Sequence, residues 1–162
     1  MAIAKGVKGR MILDHGNFFH SSCARQAPRV RELFEAGCSI RLLKPRAGGF
    51  ACSHFKTVVY DGRAVFTGSV NLTHNGFENN EEQLFIIRDP ATIEETLQDF
   101  EERWEESSVV DQAKIDEMMA IYDAKNEAKR SRAEEKGRSK SSSSSRSVSA
   151  SRAPSRSKGS DA

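Results

Sequence analysis

The sequence predicts an α/β domain, layered around a mixed sheet. Three observations carry that prediction. Short apolar or β-branched runs alternate with segments of helical period, one tight hairpin signal interrupts the alternation, and two amphipathic helices follow it. A chain of 162 residues has room for one domain of ordinary size and a tail.

The elements can be justified in order. Arg10-Met-Ile-Leu-Asp14 is a short apolar run between glycines and reads as a buried strand. Pro28 sits where a first helical turn tolerates proline, Val30, Leu33 and Phe34 follow at helical spacing, and Gly37 ends the helix. Cys38–Lys44 reads as the next strand, stopped by Pro45, and a glycine-containing loop from Arg46 to Phe50 follows. Phe55–Tyr60 is rich in β-branched residues, Asp61-Gly62 is a hairpin turn signal, and Ala64–Thr67 is the returning strand. Leu84–Ile87 reads as a further strand. Asp89-Pro90 opens a helix with Ile93, Leu97, Phe100 and Trp104 on one face. Its acids, Glu94, Glu95, Asp99, Glu101, Glu102, Glu105 and Glu106, are expected to face solvent. The second amphipathic stretch, Gln112–Lys125, offers Ile115, Met118, Met119 and Tyr122 to the core.

Charge is unevenly placed. Lys plus Arg against Asp plus Glu is 11 to 4 in residues 1–63, 5 to 16 in 64–129 and 9 to 3 in 130–162, so an overall +2 hides basic ends and an acidic middle. Basic segments attract phosphates, whether of nucleic acid or of an anionic membrane. From about Lys129 the chain is mostly Ser, Arg, Lys and Ala, with the run Ser141–Ser145 and repeated Ser-Arg steps. So little there can be buried that residues 129–162 are expected to be a disordered tail after a domain over 1–128. Such an RS-like segment suits RNA or acidic partners and control by serine phosphorylation. Cys23, Cys38 and Cys52 are too few and too scattered for a disulfide framework, so a reducing compartment is the expectation. No apolar run reaches the length of a membrane span, and Met1–Arg10 lacks the apolar stretch of a signal peptide.

The chemistry is concentrated in Ser53–Asn71. His54 and Lys56 form H-x-K, Asp61 follows after four residues, and Gly68, Ser69 and Asn71 form G-S-x-N after six more. On a strand, residues two apart share a face, so His54 and Lys56 are expected to project together. An imidazole beside an ammonium suits attack on a phosphodiester, the lysine neutralising oxygen charge while the histidine nitrogen acts as nucleophile. Ser69 and Asn71, in a glycine-led turn, can bring hydroxyl and amide donors to the same phosphate. Glu82, just before the next strand, is a candidate to accept the other ring N–H of His54.

This stretch resembles the HKD signature of the phospholipase D superfamily. Together with Asn71-Leu-Thr-His-Asn-Gly-Phe-Glu-Asn-Asn-Glu-Glu82 it is similar to the single-motif branch, which includes Nuc-type endonucleases and the mitochondrial cardiolipin hydrolase/Zucchini group. The similarity covers roughly Ile3 to Trp104. It implies a metal-independent, cofactor-free displacement in which His54 forms a phosphohistidine that water then hydrolyses. Lys56 and Asn71 would hold phosphate oxygens with support from Ser69, Asp61 would orient the site, and Glu82 would bond His54. With one motif per chain, the resemblance implies a two-fold homodimer sharing one active site, the second His54 protonating the leaving oxygen. Relatives carry a strand and a helix ahead of the segment matching Ile3–Asp14, so the fold is expected in a form truncated at the N-terminus.

The substrate stays open at this point between nucleic acid and a phospholipid such as cardiolipin. Location follows the same fork: an RS-like tail suits the nucleus or cytoplasm, and the cardiolipin hydrolase resemblance suits the mitochondrial surface. A catalytically silent scaffold that engages RNA or acidic partners through its tail is the alternative. Among weaker signals, His15, His20 and Cys23 lack the paired spacing of a structural zinc site and read as loop or core residues. Cys52 reads as a small packed residue near the motif, His74 as a possible cleft residue, and Lys44 and Arg46 as a basic approach to it.

Overall fold

A computed structural model describes residues 6–47, 51–71 and 73–144. The strands group into two three-stranded sheets, with orders β1-β2-β6 and β3-β4-β5. The first is mixed. β1 (Arg10–Asp14) runs parallel to β2 (Ser39–Leu43), with Met11 opposite Ile40 and Leu13 opposite Leu42. β6 (Ser108–Val109) adds antiparallel to the other edge of β2. A parallel pair needs a long crossover. Here it is α1 (His15–Phe19), a 3₁₀ segment at Ser21–Gln26, and α2 (Ala27–Glu35).

The predicted punctuation of α2 is present. Pro28 lies in its first turn, and Gly37 takes φ +93°, a left-handed conformation that glycine adopts without a Cβ penalty. The amides of Gly37 and Cys38 close the helix on the carbonyls of Phe34 and Leu33. Phe18, Ala27, Val30, Ile40, Leu42, Val110, Ile115 and Met118 form the buried core against this sheet.

The motif-bearing sheet is separate and wholly antiparallel, where a single mixed sheet was expected. β3 (Thr57–Tyr60) pairs with β4 (Ala64–Gly68), and β4 with β5 (Leu84–Ile87). The Tyr60–Arg63 turn has positive φ at both central residues, Asp61 (49°) and Gly62 (63°), and is closed by the Arg63 amide on the Tyr60 carbonyl. That is the mirror-image turn whose twist suits a hairpin. The short α3 (His74–Glu78) lies between β4 and β5.

α4 (Pro90–Glu106) contacts β2, β3 and β4, and so touches both sheets. Asp89 caps it, accepting from the Thr92 amide at 2.9 Å and hydroxyl at 2.8 Å. Of its apolar stripe Ile93 is buried, while Leu97, Phe100 and Trp104 are half-buried; the seven acids are exposed, as their helical spacing predicts. Arg10 stacks over Trp104 at 4.2 Å and pairs with Glu101 through two hydrogen bonds of 2.6 and 2.7 Å. Arg41 lies over the same indole ring and donates to the Trp104 carbonyl.

α5 extends over Gln112–Ser144, and its first turns supply Ile115 and Met118 to the core. The chain divides into two units, Met1–Tyr122 and Asp123–Ala162. The helix thus covers residues 129–144, where disorder was expected. Ala, Glu, Lys and Arg are strong helix formers, and the burial argument behind that expectation does not test local propensity. The rest of the predicted tail lies outside the described residues.

Candidate active site

His54 and Lys56 precede β3 in a stretch, residues 51–56, without regular secondary structure, so the expectation that both ride on a strand is corrected. Ladder pairing begins at Thr57 opposite Thr67, whose hydroxyls lie 3.1 Å apart. The two side chains nonetheless meet. The Lys56 Nζ lies 3.0 Å from Nδ1 and 2.9 Å from Nε2 of His54, and donates to the His54 carbonyl at 3.2 Å. The imidazole is exposed and open to a substrate.

An anchor from the other sheet holds the approach to His54. Asp14, the last residue of β1, accepts from the Asn17 amide with one carboxylate oxygen and from the Ser53 amide with the other, both at 2.7 Å. One side chain therefore caps α1 and fixes the residue before His54. Nothing in the sequence signals this pairing across 39 positions.

The ladder begins at Thr57 opposite Thr67, so the residues before β3 leave the hairpin at the same end as those after β4, which are Ser69, Val70 and Asn71. Gly68 is demanded by packing: a Cβ there would lie 2.0 Å from the Gln83 carbonyl oxygen. Gly76 is likewise pressed against the backbone of Asn71, where a Cβ would meet the carbonyl oxygen at 2.3 Å. Thus two glycines set the path of the G-S-x-N turn and of the helix that follows it. Asn71 is exposed, and its carbonyl accepts from the Thr73 amide at 2.7 Å.

Ser69 is held from both sides. Its amide donates to the Gln83 carbonyl at 3.0 Å, its hydroxyl accepts from the Gln83 amide at 3.1 Å, and the hydroxyl donates to Glu82 Oε2 at 2.5 Å. Asn80 donates to the other Glu82 oxygen at 3.0 Å. Glu82 therefore engages Ser69 and Asn80, in place of the bond to His54 that the sequence suggested. The β4–β5 register places it beside Ser69, while the Lys56 ammonium lies against the His54 ring. The Ser69 and Asn80 hydrogen bonds, aided by the field of Lys56, hold the Glu82 carboxyl below the usual carboxylate range.

Asp61 is not brought to this cluster. It occupies the hairpin turn at the far end of β3, five residues and about 16 Å of extended chain from Lys56. His20 and Cys23 make local hydrogen bonds, His20 Nδ1 with the Ser22 hydroxyl at 2.7 Å and Cys23 Sγ with Asn17 Oδ1 at 3.6 Å. Cys52 is exposed, not packed. A shallow cavity of about 210 Å³ adjoins the motif, lined by Lys44, Arg46, Cys52, Phe55, Arg103 and Glu106 among others. Arg46 there pairs with Glu106, and Arg103 stacks over Phe55 at 4.2 Å.

Comparison with known proteins gives concordant results. Residues 1–104 match the family described as cardiolipin synthase, PLD-like domain. The chain is 30% identical over 102 residues to a mitochondrial cardiolipin hydrolase of Xenopus laevis, covering 63% of this chain and 44% of the relative. It is 36% identical over 102 residues to the Mus musculus protein of the same name, covering 63% and 42%. The chain thus spans less than half the length of these relatives. The fold matches the crystal structure of Nuc, a phospholipase D family member from Salmonella typhimurium, with a TM-score of 0.54 and 21% identity over 65% of this chain and 66% of that one.

Proposed function

Because the chain belongs to the phospholipase D-like domain family, we propose that it hydrolyses phosphodiesters through a phosphohistidine formed on His54. The observation that carries this reading is the Lys56 ammonium, within 3.0 Å of both ring nitrogens of an exposed His54. An oxygen of a bound phosphate would compete for that ammonium and bring phosphorus to the imidazole. A ring nitrogen of His54 donates its lone pair to phosphorus and the P–O bond to the leaving group breaks. Lys56 and the Asn71 amide stabilise the charge on the non-bridging oxygens, and Ser69, oriented by Glu82, supports them. Asp61 acts at a distance, by fixing the hairpin.

The leaving oxygen needs a proton, and one chain supplies one motif histidine. A second copy related by a two-fold axis would supply its own His54 as that acid. The same group would then take a proton from the water that attacks the phosphohistidine. The substrate chemistry is a phosphodiester, carried either by nucleic acid or by an anionic phospholipid such as cardiolipin. Among the described residues no helix is long and apolar enough to cross a membrane.

Turnover of bis-p-nitrophenyl phosphate in EDTA tests the reading, with dimer content recorded by light scattering. Wild type should turn over and His54→Ala should lose about 10³-fold or more. A well-folded dimer with no activity, or equal activity in the two proteins, would remove the hydrolase reading in favour of a scaffold. Parallel assays on single-stranded RNA and on cardiolipin vesicles separate the two substrate sources.

A further inference from the structure

The second unit carries a feature that the proposed chemistry does not use. In the distal part of α5, Lys125, Lys129, Arg132 and Lys136 are spaced by four, three and four residues. At about 100° per residue they fall within an arc of about 60°, a stripe about 16 Å long with one cation per turn. Asp123, Glu127 and Glu134 cluster on the opposite side, and all seven side chains are exposed. Arg130 lies near the acidic side and Glu135 flanks the basic one, so the segregation is strong on the stripe itself.

We propose that this stripe is a docking surface for the phosphate backbone of nucleic acid, bound without regard to base sequence. Several features select that partner. A helix that lies in a bilayer surface needs an apolar face with large side chains, and the apolar residues of 123–136 are Ala124, Ala128 and Ala133 only. Base recognition on single strands needs stacking platforms, and residues 123–162 contain no aromatic residue or histidine. What remains is a line of cations facing a line of phosphates, bound by release of counterions. The sequence continues in the same sense: residues 137–162 hold six Lys and Arg against one acid, Asp161.

The inference does not depend on turnover at His54, so the test uses the full chain with His54→Ala, which prevents cleavage. Fluorescence anisotropy with a labelled mixed-sequence RNA of about 20 nucleotides is followed from low to moderate salt. A variant with Lys125→Gln, Lys129→Gln, Arg132→Gln and Lys136→Gln keeps helix propensity while removing the stripe. Affinity should fall at least about tenfold, and the slope of log K against log salt should shrink by about three, the share of four phosphate contacts on a single strand. Changing Asp123, Glu127 and Glu134 to their amides should leave affinity equal or tighter, and arginine at all four stripe positions should preserve it. Circular dichroism verifies the helix in each variant.

An unchanged affinity in the glutamine variant would overturn the proposal. So would a loss without the change in slope, or failure of the arginine variant to bind. Flotation with phosphatidylcholine–phosphatidylglycerol vesicles supplies the last arm: stripe-dependent vesicle binding without RNA binding would assign the surface to a membrane and overturn it too. None of these outcomes bears on hydrolysis at His54, which is read separately with the small ester.

Discussion

The two sheets are built from similar apolar strands yet bury them very differently. In β2, Ile40, Leu42 and Leu43 are all buried, Leu42 to 1% exposure, and Ile40 and Leu42 belong to the main core. In β5, Leu84 and Ile86 are 50% and 49% exposed, and Phe85 is exposed as well. The motif hairpin shares this character, with Val58 and Tyr60 open to solvent. Val58, Phe66 and Ile86 lie in one row across the sheet, Val58 and Ile86 exposed and Phe66 half-buried, while Val65 points the other way and is buried; Phe85, on the face of Val65, is exposed all the same. Stability is therefore expected to reside mainly in the β1-β2-β6 half, and chemistry in the β3-β4-β5 half.

The sharpest way to test that division is His54→Ala. The side chain is exposed, so its removal should leave Tm within about 3 °C while abolishing most turnover. A large loss of stability would mean that His54 also supports the fold, and the division between the halves would fail at its central residue.

A paired truncation tests the other half of the comparison. Leu42→Ala should cost about 2–5 kcal/mol in urea unfolding, because it opens a cavity in close-packed core. Leu84→Ala should cost less than about 1 kcal/mol. Equal costs would show that the exposed face of β5 is covered in solution. Repeating the measurement across protein concentrations would then tell whether a second copy covers it, since only that case makes stability depend on concentration.

Gly68→Ala probes the seam between chemistry and fold. The added methyl would meet the Gln83 carbonyl, so β4 and β5 must part there. A loss of about 1–3 kcal/mol is expected, together with a disproportionate fall in turnover, because Ser69 and Glu82 depend on that register. Activity that merely tracks the folded fraction would argue against Ser69 positioning.

How much of this was legible in the sequence varies with the range of the interaction. Local chemistry was readable: Pro28 and Gly37 bound α2, Asp89-Pro90 opens α4, and Asp61-Gly62 makes the turn. The H-x-K and G-S-x-N residues were legible as a candidate site for the same reason, since they flank one hairpin. Pairing between distant elements was not readable. The Asp14 bond to Ser53 joins two sheets, and the Ser69 bond to Glu82 depends on the β4–β5 register; neither leaves a periodic trace. Strand signals also do not say which strands share a sheet, which is why one sheet was expected where two are present. The two-residue β6 is too short to signal at all. In residues 129–136 every side chain is exposed, but composition was silent about the helix that carries them.

The smallest expected effect concerns Glu82 and its pH dependence. The Ser69 and Asn80 hydrogen bonds, with the nearby Lys56, favour the ionised carboxylate in the folded chain, so its folded pKa lies below the unfolded one. Between those values the unfolded chain binds more protons, and stability rises with pH. The contribution is complete above the unfolded value of about 4.3 and fades as pH falls through the lower, folded one. Glu82→Gln keeps an acceptor for Ser69 but cannot titrate. Its Tm should therefore sit slightly below wild type at pH 7, and the gap should close on acidification below about pH 4. Thermal melts of both proteins across that range provide the check. A gap that stays constant with pH would mean the carboxylate is not selectively stabilised, and Ser69 would then be oriented by the Gln83 backbone alone.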